Sequence, residues 1–225
     1  MRYHIDTIPV WDAYKQGSEC PLCDLRAASE QAYLESFLGA SVMEPAVRIE
    51  VNQKGFCQRH FAQMLHMKNH LGLALMTHTH LKETMGRLKP AAPMKNHLPR
   101  GKKTVSEADG ACILCDRLSH TMNRYLYTVL YLWERDADFK KAFTASKGLC
   151  LPHYRSLAAM AAQEFSPAEA RAFLSSLEIL QQENMARIEK ELEWFTQKFD
   201  YRNSCKPWGN SKDAPERAIW KLRGR

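Results

Sequence analysis

The chain reads as an all-α protein: two pseudo-repeated helical units, each with a Cys3His zinc knuckle, then a long C-terminal helix and a basic tail. Three features point there. Apolar residues recur at spacings of three and four, six of the seven cysteines fall into two matching sets of motifs, and no alternating strand–helix pattern appears.

The repeat comes first. One half carries Cys20-Pro-Leu-Cys23 and then Cys57-Gln-Arg-His60; the other carries Cys112-Ile-Leu-Cys115 and then Cys150-Leu-Pro-His153. The CxxC motifs are offset by 92 positions and the CxxH motifs by 93, so one inserted residue accounts for the difference. The likeness extends past the ligands. Tyr33-Leu34 matches Tyr125-Leu126, and Lys54-Gly55-Phe56-Cys57 matches Lys147-Gly148-Leu149-Cys150. Self-similarity of this kind marks a duplicated unit.

The helices follow in order. After Cys23, Leu25, Ala28, Ala32 and Phe37 share a face; after Cys115, Leu118, Met122, Tyr125, Val129 and Trp133 do so more clearly. Each CxxH opens a further helical run, Phe61 to Leu88 and Tyr154 to Ala162. The last long helix is expected from about Pro167 to Phe199. Ser166 is its N-cap, Pro167 its first residue, and Glu169 completes a capping box. Phe173, Leu177, Leu180, Ile188, Leu192, Phe195 and Phe199 line one stripe, and Glu183 pairs with Arg187. Residues 214–222 suit a short final helix. The chain therefore divides into a first zinc-binding repeat (1–88), a basic Pro/Lys-rich linker (89–109), a second repeat (110–200) and a basic tail (201–225).

The motifs carry metal chemistry. Three thiolates and one imidazole complete a tetrahedral zinc shell, and Cys20, Cys23, Cys57 and His60, with Cys112, Cys115, Cys150 and His153, supply two such sets. Two Zn2+ per chain are expected. Iron is the chemical competitor, because sulfur-rich sites accept it as well. The ligands can pair within each half, or crosswise, Cys20 and Cys23 meeting Cys150 and His153. Four protein ligands leave no open position for substrate, so the role is structural. Three thiolates leave the site one negative charge, which Lys54, Arg59 and Lys147 are placed to offset.

Composition bounds the rest. The chain has 225 residues, 45% of them apolar, enough for a sizeable core. The net charge of +7 is uneven: residues 86–103 hold six cations and no acid, and residues 198–225 hold eight cations against three acids. Such stretches suit phosphates or simply solvent. No apolar run is long enough to span a membrane, and the N-terminus lacks the apolar core of a signal peptide, so a cytoplasmic protein with reduced cysteines is expected. There is no Gly-rich nucleotide fingerprint. His66 and His70 are spaced to chelate from one helix, whereas His78 and His80 are not. Cys205 is the odd cysteine, in a basic segment. Trp208, among Tyr201, Arg202 and Lys206, suits either single-strand stacking or docking of the tail on the body.

The segments YHIDTIPVWDAY, CPLC, GFCQRHF, LGLALMTHTHLKET, KGLCLPH and ELEWFTQKFDYRN, with KPWGNSKDA and AIWKLRG, resemble an uncharacterised bacterial family, a domain of unknown function found mainly in Firmicutes-type bacteria. The resemblance covers nearly the whole chain and implies a cytosolic protein with duplicated metal-ligand motifs and no established activity. Some relatives carry the label of ABC-transporter substrate-binding protein, which the absence of a strand–helix alternation here does not support.

These readings converge on a non-enzymatic zinc protein, a module that meets a protein or nucleic acid through the basic linker and tail, with homodimerisation open. The alternative is a thiol-based redox or metal sensor. An enzyme using His78, His80 or Glu83 ranks third.

Overall fold

The computed structural model describes residues 4–88 and 111–225, and the side chains from Asp6 onward. The basic Pro/Lys-rich linker, residues 89–109, lies outside the described residues. Among the described residues every regular element is helical. In order these are α1 (His4–Lys15), α2 (Pro21–Leu38), a 3-10 turn (Ala40–Met43), α3 (Pro45–Lys54), α4 (Gln58–His66) and α5 (His70–Leu88). After the gap come α6 (Ile113–Arg135), α7 (Ala137–Thr144), α8 (Leu151–Glu164), α9 (Pro167–Gln197), a 3-10 turn (Tyr201–Asn203) and α10 (Ala214–Arg223).

Two compact units emerge, one formed by Met1–Ala27 with Thr121–Arg225, the other by Ala28–His120. Neither coincides with a sequence half. The first unit has an aromatic heart. Trp11 and Tyr14 of α1 meet Phe139 of α7 at 5.2 and 5.0 Å, and Phe173 of α9 meets Trp133 and Phe143. The stripe Phe173, Leu177, Leu180 and Ile188 is buried, as its spacing requires. Ser166 and Glu169 form the reciprocal capping box at the start of α9. Beyond Ile188 the stripe leaves the core: Phe199 is exposed and follows the end of the helix. Trp208 folds back onto Phe195, with ring centroids 5.7 Å apart, and Trp194 donates to the Pro207 carbonyl.

The second unit packs α3, α4, α5 and the 3-10 turn around Phe37, Val51, Phe56, Met64 and Met76. Here one expected helix becomes two. The run from Phe61 to Leu88 breaks at Met67–Asn69, because Asn69 accepts from the Gly72 amide and donates to the Leu38 carbonyl. That side chain caps α5 and ties it to the end of α2. His66 therefore ends α4 and His70 begins α5, so the two are not on one helix.

A second departure concerns Arg187. It bonds Glu19 at 2.6 Å and Glu191, its i+4 neighbour, rather than Glu183. The buried Glu19 carboxylate needs a counter-charge, and that need outweighs a pair formed in water.

Candidate metal centres

Both metal-ligand sets assemble, in the crossed arrangement. Cys20, Cys23, Cys150 and His153 converge in the first unit, and Cys57, His60, Cys112 and Cys115 in the second. The expectation of one complete quartet in each half gives way to two quartets that each take CxxC from one half and CxxH from the other. The helices explain this. Each CxxC opens a long helix, 18 residues in α2 and 23 in α6, which carries the chain on from the sulfurs before the next knuckle begins.

Each centre joins two helix starts. Cys57 is the N-cap of α4 and Cys150 the N-cap of α8; the CxxC pairs open α6 and α2. Helix starts present free amides and a partial positive charge to the sulfurs.

The geometry suits a tetrahedral ion. In the first centre, the Cys23 and Cys150 sulfurs are 3.6 Å apart, and the Nδ1 of His153 lies 3.5, 3.5 and 3.2 Å from Cys20, Cys23 and Cys150. In the second, Cys57 and Cys115 are 3.9 Å apart, and the Nδ1 of His60 lies 3.2, 3.3 and 3.6 Å from Cys57, Cys112 and Cys115. Bond lengths of 2.3 Å to sulfur put the edges of a tetrahedron at about 3.8 Å. All four ligand atoms of each quartet lie within 4.8 Å of one another.

Without a cation, the sulfurs compete for protons. Burial pushes the Cys20 thiol up, whereas hydrogen bonds from Cys150 and Cys20 hold Cys23 well below the ordinary thiol range. Burial opposes a charged His153, yet the Cys150 and Cys23 sulfurs outweigh it and raise the imidazole to about 9. In the second centre, burial pushes Cys115 up to about 12, while backbone amides at the start of α4 outweigh burial and lower Cys57. A dication resolves the competition by allowing every ligand sulfur to ionise.

The repeated glycine before each CxxH has a physical reason. Gly55 and Gly148 both take left-handed φ, 65° and 75°. A Cβ on Gly55 would sit 2.5 Å from the His80 ring, and one on Gly148 would sit 3.2 Å from the Gln181 side chain. His80 is thus committed to packing, with its Nδ1 on the Asn52 carbonyl.

The surroundings of the two centres differ. In the second, the Ile113 amide donates to the Gly55 carbonyl at 3.1 Å and ties the two ligand loops. Pro21 holds the matching position in the first centre and has no N–H to give. There the Lys221 ammonium does the tying, donating to the carbonyls of Glu19 and Lys147, just ahead of Cys20 and Cys150. Gly224 then lies over the sulfurs, its hypothetical Cβ 3.6 Å from Cys150 and 3.8 Å from Cys23, and the Arg225 amide helps lower Cys23. The expected counter-charges are partly elsewhere. Lys54 pairs with Asp116 and Arg59 with Glu30, whereas Lys147, Arg217 and Arg225 line a cleft of about 200 Å³ beside Cys20 and Cys23. The basic tail is thus partly internal structure: three of its cations are buried, while Arg202, Lys206, Lys212, Arg223 and Arg225 are exposed. Lys221 and Arg217 are buried, and Lys198 caps three backbone carbonyls.

His60 has a second partner that spacing did not reveal. Its Nε2 meets the Glu30 carboxylate at 2.8 Å, an arrangement that orients a metal-binding imidazole. Among the described residues, no other group of three or more His, Cys, Asp or Glu side chains can share an ion. His78 is exposed, and Glu83 pairs with Arg87. Cys205 is exposed.

A model of a family of unknown function, DUF6062, matches residues 1–225, the whole chain. The protein belongs to the DUF6062 family. No curated protein and no solved structure matches it. For this DUF6062 chain, then, the two quartets are the chemistry to explain, and no described helix is long and apolar enough to cross a membrane.

Proposed function

We propose that this DUF6062 protein is a cytoplasmic, two-zinc structural protein that serves as an interaction module. One observation carries the reading: eight residues from four separate motifs place their ligand atoms as two compact Cys3His tetrahedra. Zinc suits the donor set because it accepts three thiolates and one imidazole without redox change. The shells are saturated by protein, which argues for folding rather than catalysis. Each ion would close loops of over a hundred residues in the first centre and over fifty in the second, so its binding free energy becomes folding free energy. The duplicated spacing supports a tandem origin for the halves.

Its partner is a protein or a nucleic acid met through the basic linker and tail. Lys198, Arg217 and Lys221 are spent on internal bonds, whereas Arg202, Lys206, Lys212, Arg223 and Arg225 are exposed at the tail surface. Elemental analysis of untagged protein, with thiols counted before and after denaturation, tests the metal reading. Two zinc ions and six thiols shielded until unfolding are expected; iron, or no metal, would overturn it. A nucleic-acid titration at two salt concentrations tests the partner class: salt-dependent binding at low salt assigns nucleic acid, and no binding at low salt leaves a protein.

A second reading, a redox or metal-release sensor, draws on one contrast. Cys20, Cys23 and Cys150 are buried, but Cys115 is exposed and Cys57 half-buried. Peroxide reaching the second centre would take two electrons from the Cys57 and Cys115 sulfurs. The S–S bond forms as the O–O bond breaks, and two protons from solvent complete two waters while the ion departs. Zinc retained under mild peroxide would end this reading.

A further inference from the structure

Helix α5 presents two apolar faces. One, with Leu73 and Met76, is buried against α3, α4 and the 3-10 turn. The other is open. Leu71, Ala74, His78, Leu81, Met85 and Leu88 are all exposed, and their spacings run 3, 4, 3, 4 and 3. That is the a/d repeat of a coiled-coil seam, sustained over the full length of the helix. The four largest are 71, 56, 58 and 61% exposed (Leu71, Leu81, Met85 and Leu88), so the seam is unpartnered within the described residues.

We infer that this seam pairs with the same seam of a second copy, the two α5 helices running antiparallel about a twofold axis. The argument is self-complementarity. Set antiparallel around the midpoint between His78 and Leu81, the a positions of one copy face the d positions of the other. Leu71 meets the other copy's Leu88, small Ala74 meets bulky Met85, and His78 meets Leu81. The smallest side chain of the seam thus opposes its longest, as close packing requires, and every contact occurs twice, as an isologous interface requires. A parallel pair would instead stack Ala74 on Ala74 and Met85 on Met85, leaving a gap and a bulge. Leu75 and the Lys82 stem flank the seam and widen it. Covering these side chains on both copies removes on the order of 1,000 Å² of surface, the threshold for a specific though modest interface. One polar residue at an a position, His78, fits a seam that specifies register at a cost in stability. No seam residue is a metal ligand, so the dimer stands apart from the metal reading.

Sedimentation equilibrium of the metal-loaded full chain tests it. The expected result is a two-chain mass that dissociates on dilution. Leu81→Glu and Met85→Glu should each give a single-chain mass with unchanged helix content and metal load. Ile179→Glu, an exposed apolar position on α9, should leave the dimer intact. Register is read from a charge pair. Leu71→Glu gives a monomer, and adding Leu88→Lys restores the dimer, because antiparallel packing places each Glu against a Lys. A single-chain mass at every concentration, or a dimer indifferent to both Leu81→Glu and Met85→Glu, overturns the inference. So does a monomer whose seam is protected from solvent, since the chain would then cover it. A double variant that stays monomeric overturns the antiparallel register.

Discussion

The Lys221 ammonium donates to the Glu19 carbonyl at 2.5 Å, and the same nitrogen also reaches the Lys147 carbonyl. Glu19 precedes Cys20 and Lys147 stands three residues before Cys150, so one side chain from α10 staples both ligand loops of the first centre. Burial lowers the Lys221 pKa, while Glu19 acts the other way. Lys221→Met keeps the stem but leaves the buried Glu19 carbonyl and the Lys147 carbonyl without this donor and Glu19 with one cation fewer. A loss of about 3 kcal/mol is expected. Denaturant unfolding of the metal-loaded protein measures it, and chelator-driven metal release should accelerate at the first centre only.

The second centre has its own support in Glu30, whose carboxylate sits on the His60 Nε2 and also pairs with Arg59. Glu30→Gln retains the shape and removes the charge that makes the imidazole a stronger ligand. Metal affinity at this centre should fall about 10–100-fold, as for other outer partners of metal-bound histidines. Competition with a calibrated chelator reads this directly. An unchanged affinity would mean that Glu30 serves only Arg59.

Exposure predicts the order of metal loss. Cys115 is exposed and Cys57 half-buried, against three buried sulfurs in the first centre. Chelator should therefore extract metal in two phases, the fast one from the second centre. Cys115→Ser should remove the fast phase and leave one ion bound. A single phase of two ions would show that the centres open together.

Much of this was legible from spacing. All eight ligands and their division into CxxC and CxxH motifs follow from residues that recur at fixed offsets, and the capping box of α9 follows from Ser166 and Glu169. The pairing did not follow, because it depends on where α2 and α6 carry the chain, and both arrangements satisfy the same spacing. Glu30 and Lys221 were not legible either. Each acts across 30 or more positions on one ligand or loop, and neither sits in a motif. The break at Asn69 was hidden by continuous apolar periodicity on both sides, which α5 carries on two faces. Composition also could not separate the tail's buried cations from its exposed ones: Arg217 and Lys221 are buried, whereas Arg202, Lys206, Lys212, Arg223 and Arg225 are exposed.

Gly55 meets two constraints at once, and a double variant separates them. Its φ of 65° is strained for any residue with a side chain, and a Cβ would lie 2.5 Å from the His80 ring. Gly55→Ala should cost about 1–3 kcal/mol for the overlap and about 1–3 kcal/mol for a backbone with φ 65° and ψ −159°, a region close to glycine-only, with some relief as His80 shifts. Removing the ring with His80→Ala lifts the overlap but not the backbone strain. The double variant should thus be less than additive, with Gly55→Ala costing about 1–3 kcal/mol in the His80→Ala background. Thermal or denaturant unfolding of the four proteins completes the cycle. If the glycine costs the same in both backgrounds, the His80 contact is irrelevant and the backbone alone dictates the residue. If its cost vanishes with the ring gone, the turn tolerates a side chain and the close approach is the whole reason. Because Gly55 delivers Cys57 to the second centre two residues later, metal affinity there should fall in parallel with stability.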